Sequence, residues 1–82
     1  MAKKRTMLDR MRVNPRDDWR IEDVETVCRR AGIAVTSHGG GSHRQLRHPS
    51  QRDILTVPAR RPIKPAYIKM LVAFVDAVEQ SR

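Results

Sequence analysis

Ile33-Ala34-Val35-Thr36-Ser37-His38-Gly39-Gly40-Gly41-Ser42-His43-Arg44-Gln45-Leu46-Arg47-His48-Pro49 is the stretch that decides the fold. Residues 33–37 are short, β-branched and alternating, which predicts a strand that ends at the glycine run. His43 to Arg47 or His48 resumes as a second strand, closed by Pro49-Ser50-Gln51-Arg52. Asp53-Ile54-Leu55-Thr56-Val57 reads as a third strand ahead of Pro58. Three short strands joined by tight loops predict an antiparallel meander.

Outward from this meander, the periodicity changes to that of helices. On the N-terminal side, Ile21, Val24, Val27, Cys28 and Ala31 recur at spacings of three and four, with acids early, Arg29-Arg30 late and Gly32 placed to terminate the segment. On the C-terminal side, Pro65 suits a first helical turn, and Ile68, Leu71, Val72, Val75 and Val78 form one apolar stripe running to about Gln80. The expected fold class is α+β, in the order α-β-β-β-α, with the sheet covered on one face by two helices. Residues 1–18 read as a basic N-terminal arm, mobile or with a short helix over Thr6 to Val13, and residues 19–82 as a single domain.

The chain has 82 residues and a formal net charge of +8, from 17 Lys and Arg against 9 Asp and Glu. So strong a positive field on so small a domain points to a polyanionic partner, nucleic acid first. Its single cysteine, Cys28, excludes an internal disulfide and a Cys-based zinc site, and suits a reducing cytoplasm. No window approaches the roughly 20 apolar residues of a membrane span, and the first five residues lead into no apolar signal core. A soluble, cytoplasmic protein with no membrane partner is therefore expected. Fifteen of the 17 cations precede residue 65, which makes the last helix scaffold rather than contact surface.

Chemistry is expected on the second strand. Side chains alternate between faces, and Leu46 is the apolar member, so Leu46 should face the helices while His43, Gln45 and Arg47 line the open face. Arg44 and His48 fall on the covered side near the strand ends, where long side chains still reach water. A histidine can take or give a proton near neutral pH, and the glycines before His43 leave room for a large ligand. If residues 39–42 form a four-residue loop, His38 and His43 oppose each other with Cβ atoms roughly 5 Å apart. Such a pair could act as base and acid in RNA cleavage: the base takes the 2′-OH proton and the acid protonates the departing 5′-oxygen. The loop Pro58-Ala59-Arg60-Arg61-Pro62 exposes two arginines for phosphate contact. His43 and His48 face opposite sides, so the three histidines do not converge on a metal, and no cofactor is expected.

Taken together, Ala31-Gly32-Ile33 ending a helix, Gly41-Ser42-His43 entering a strand, His48-Pro49 closing it and Leu55-Thr56-Val57-Pro58 before a final helix resemble the HicA toxins of bacterial type II toxin–antitoxin systems. The resemblance runs from about Ile21 to Glu79. It implies a double-stranded-RNA-binding-like fold, metal-independent endoribonuclease cleavage of mRNA, and neutralisation by a HicB antitoxin. It also places the family's catalytic histidine at His43. Leu46 stands where the family commonly has an aromatic residue, and the run of three glycines is longer than is typical.

The resulting expectation is a toxin with His43 as general base and His38 as a candidate acid. Ser42, Arg44, Gln45, Arg47, Arg60 and Arg61 are the expected RNA-binding residues. The competing readings are a non-catalytic module that holds double-stranded RNA by shape, and an interaction module for an acidic protein partner.

Overall fold

The computed structural model describes residues 6–38 and 41–81. Its elements are α1 (Met7–Val13), α2 (Ile21–Ala31), β1 (Ala34–His38), β2 (His43–Arg47), β3 (Leu55–Pro58) and α3 (Pro65–Gln80). The strands form one antiparallel sheet in the order β1-β2-β3. This is the α+β meander with flanking helices that the sequence predicts, preceded by one further short helix.

Each helix stops and starts where local chemistry dictates. At the start of α2, the Arg20 N–H donates to Asp23 Oδ2 at 3.0 Å, so an acid in the first turn satisfies a donor that would otherwise be open. Gly32 ends the helix in the left-handed region at φ 75°, ψ 22°, and the Ile33 N–H returns to Cys28 O at 2.8 Å. In α1, Thr6 Oγ1 accepts from Asp9 N at 3.1 Å while Asp9 Oδ2 accepts from Thr6 N at 3.1 Å, a reciprocal cap.

One core unites all elements. Every residue of the two apolar stripes, Ile21, Val24, Val27, Cys28 and Ala31 on α2 and Ile68, Leu71, Val72, Val75 and Val78 on α3, is buried against Leu46 and Val57 of the sheet. Burial pushes the Cys28 thiol up to about 12, with Glu25 adding to the shift, so Cys28 is a neutral packing group. Met11 of α1 is completely buried in the same core. Trp19, 4% exposed, anchors the α1–α2 connection: its Nε1 donates to Asn14 O at 2.8 Å and Arg10 lies 5.6 Å over its ring.

The third strand differs from the sequence reading. It begins at Leu55, not Asp53, because β2 ends at Arg47, residues 48–51 turn with Gln51 N bonded to His48 O at 2.9 Å, and pairing resumes only at Leu46↔Leu55. Ile54 is left 45% exposed outside the ladder. The strand also includes Pro58, which an edge strand tolerates because its missing N–H removes no bond from a central ladder.

Helix α1 is tied to α3 by a bidentate pair, Arg12 Nη1 and Nη2 to Asp76 at 2.8 and 2.7 Å. The hydrogen bond from Arg12 holds the Asp76 carboxyl below its ordinary value. The side chains are 47% and 38% exposed, so solvent screens the pair and it contributes at most about 1 kcal/mol. A depressed folded-state value means that this stability is present above the unfolded-state pKa, about 3.9, and is lost as pH falls through the folded value. Asp76→Asn should therefore lower the urea midpoint slightly at pH 7, and the gap from wild type should close as the titration is repeated at lower pH. A gap that widens on acidification would contradict this account.

Candidate functional site

The open face of the sheet is laid out by register. His43 pairs with His38 on one side and Pro58 on the other, Gln45 with Thr36 and Thr56, and Arg47 with Ala34. Directly opposed residues share a face, so His43, Gln45 and Arg47 form one file down the centre of the sheet. Leu46, wholly buried, fixes which face this is, since a slip of one residue would turn Leu46 outward and the histidine inward. His43 and Arg47 are exposed and Gln45 is half-buried.

Local contacts orient the file. Ser42 Oγ lies 3.0 Å from His43 Nδ1, so the contact engages Nδ1 and not Nε2. Arg47 Nη2 donates to Gln45 Oε1 at 2.8 Å. Gly41 carries φ 90°, and a Cβ built there would meet open space, so backbone conformation rather than crowding requires the glycine. Gly39, Gly40 and the His38 side chain lie outside the described residues. The backbone pairing His38↔His43 is the one a four-residue loop produces.

Arg44 projects to the covered side, as the alternation predicts, and is held there. Its Nε donates to Glu25 Oε2 of α2 at 3.1 Å and its Nη1 to Gly41 O at 2.6 Å, with the side chain only 18% exposed. The guanidinium thus ties the end of the glycine loop, two residues before His43, to the second helix. Arg61 is likewise engaged: its Nη2 pairs with Asp18 Oδ2 at 2.5 Å and its Nε donates to Asp18 Oδ1 at 3.1 Å. That hydrogen bond pulls the Asp18 carboxyl below its ordinary value. Among the described residues, Arg47 and Arg60 have no carboxylate partner. His48 turns its Nδ1 to Ser50, 2.8 Å from Oγ and 3.1 Å from the backbone N. Among the described residues, no group of three or more His, Cys, Asp and Glu is placed to hold a metal ion.

The structure therefore brings together His43, Ser42, Gln45 and Arg47, with the 58–64 segment alongside. The Ala59 N–H donates to Ser42 O at 2.8 Å, which continues the β2–β3 ladder past Pro58 and carries Arg60 next to the histidine end of the sheet. Sequence reasoning missed Glu25. Its partner lies 19 residues away, and one of several acids beside an apolar stripe carries no signal that it will meet an arginine.

The site is thus the open sheet face of a small α+β domain of net charge +8, headed by an exposed histidine, with Arg47 and Arg60 without a carboxylate partner among the described residues. A family model described as the HicA toxin of bacterial toxin–antitoxin systems matches residues 21–74, more than half of the 82 residues. The chain belongs to the HicA toxin family and is a toxin of a toxin–antitoxin system, whose membership implies a cognate antitoxin partner. No curated protein and no solved structure matches it. Among the described residues, no helix is long and apolar enough to cross a membrane.

Proposed function

We propose that this toxin is a metal-independent endoribonuclease that cleaves mRNA in the cytoplasm, is held inactive by a HicB-type antitoxin, and arrests growth when released. The observation that carries the reading is the exposed His43 at the head of the open sheet face, with Nδ1 against Ser42 Oγ. With the Ser42 hydroxyl accepting from Nδ1–H, Nε2 carries the lone pair and serves as general base.

In the proposed reaction, Nε2 removes the proton of a ribose 2′-OH, and the 2′-oxygen attacks the adjacent phosphorus. The bond from phosphorus to the 5′-oxygen breaks, leaving a 2′,3′-cyclic phosphate and a 5′-OH. His38, whose backbone pairs with that of His43, is the proposed acid that gives the 5′-oxygen its proton. Arg47 and Gln45 are the proposed phosphate contacts on the sheet, and Arg60 the contact beside it; cations there would stabilise the charged phosphorane. Arg44 and Arg61 are already bonded to Glu25 and Asp18, so their first role is to hold the loop and the 58–64 segment, and RNA contact would come from donors left over.

Purified protein incubated with mRNA in excess chelator tests the reading. Fragments ending in 2′,3′-cyclic phosphate and 5′-OH are expected, and RNA carrying a single 2′-deoxyribose at a cleavage site should stay intact there. Cleavage that is indifferent to the missing 2′-OH would refute the 2′-OH mechanism, and no cleavage at all would leave a binding module instead.

A further inference from the structure

Beside Pro58, the cross-strand neighbour of His43, the chain encloses a cleft of 340 Å³ lined by Pro58, Arg60, Arg61, Pro62, Lys64 and Tyr67. That volume falls at the lower end of the range for small-ligand pockets, about 300–1,000 Å³. Its walls combine two kinds of chemistry. Two proline rings and the half-buried Tyr67 ring supply apolar surface, while Arg60 and Lys64 are exposed cations without a partner among the described residues. Arg61 lines the same cleft but is bonded to Asp18.

The three aromatic residues of the chain are not equivalent. Trp19 is buried and its N–H is engaged, and Phe74 lines a separate cleft with Ile54 and Met70. Tyr67 is the aromatic residue that shares a cleft with Arg60, Arg61 and Lys64 and with Pro58, the cross-strand partner of His43. Strand spacing is about 4.7–4.9 Å, so Pro58, which lines the cleft, lies one strand away from His43.

We propose that this cleft is a subsite for one unpaired nucleotide flanking the scissile phosphate of a single-stranded RNA. Its base stacks on the Tyr67 ring between Pro58 and Pro62, and its phosphate sits between Arg60 and Lys64. A base can reach an aromatic face only when splayed from its neighbours, so the subsite selects single-stranded segments over duplex. The inference rests on the ribonuclease reading for the position of the scissile bond, whereas nucleotide binding in the cleft can be measured without cleavage.

The probe is a single-stranded 2′-O-methyl pentanucleotide, which lacks the attacking hydroxyl. Its affinity should stay within about twofold in Tyr67→Phe and fall about 5- to 150-fold in Tyr67→Leu, the range set by loss of one base–aromatic stack. Lys64→Gln should flatten the dependence of log affinity on log salt by about 0.7, one phosphate contact on a single strand. Wild-type affinity in a folded Tyr67→Leu protein overturns the subsite. Should Tyr67→Leu not fold, the Tyr67 ring resonances of the wild-type protein decide: a shift on saturation with the pentanucleotide supports the subsite, and no shift overturns it. Tyr67-dependent binding by a protein that leaves ordinary mRNA uncut would sink the ribonuclease reading while leaving the subsite standing.

Discussion

Cells that express the His43→Ala chain alone are expected to grow like cells with an empty vector, while the wild-type chain arrests them. Removing a general base costs typically about 10²–10⁴ in rate, enough to bring an mRNA-cleaving activity below what growth can register. The substitution should leave the fold intact. His43 is exposed at the end of β2, and the contact of its ring is to the neighbouring Ser42 hydroxyl, so no core group loses a partner. Matching circular dichroism and urea midpoints for the two purified proteins would attribute the loss to chemistry. Undiminished growth arrest by His43→Ala would remove His43 from the reaction. His38→Ala separates the two histidines in the same assay: unchanged cleavage would mean that the proton for the 5′-oxygen comes from elsewhere.

The largest effect on stability is expected at Leu46, three residues further along the same strand. Leu46→Ala should cost about 2–5 kcal/mol, because the side chain is wholly buried between the sheet and the helices and its removal leaves a cavity in a tightly packed core. A domain of 82 residues has roughly 4–12 kcal/mol in total, at about 0.05–0.15 kcal/mol per residue. One such substitution therefore takes a large share, and toxicity should fall because the folded fraction falls. Urea denaturation of the variant checks this. A loss below about 1 kcal/mol would mean that the sheet face is not fixed by Leu46. The two variants thus lose activity for opposite reasons, one with the fold intact and one without it.

The site was legible to different depths. His43, Gln45 and Arg47 could be put on one face from alternation alone, since one apolar residue, Leu46, sets the phase for the whole strand. The two helical stripes were equally open to reading, because burial on a helix repeats with a period that sequence displays directly. Arg44 and Arg61 were legible as cations near the site but not as bonded ones. Their partners Glu25 and Asp18 lie 19 and 43 residues away, and which acid a long exposed side chain meets depends on how finished elements are stacked. The cleft around Tyr67 was hidden for the same reason: its lining is contiguous in sequence, but its place beside His43 follows from the pairing of Pro58 across the sheet.

By itself the sequence determined the order of elements, the outward face of β2, the +8 field and the histidine at its head, because local period, turn chemistry and net charge are properties of the chain before it folds. Only the tertiary structure decided which cations remain free. Of the arginines around the site, it bonds Arg44 to α2 and Arg61 to Asp18 and leaves Arg47 and Arg60 without an acid among the described residues. An ion pair forms where packing brings two ends together, and no spacing in the chain records that meeting.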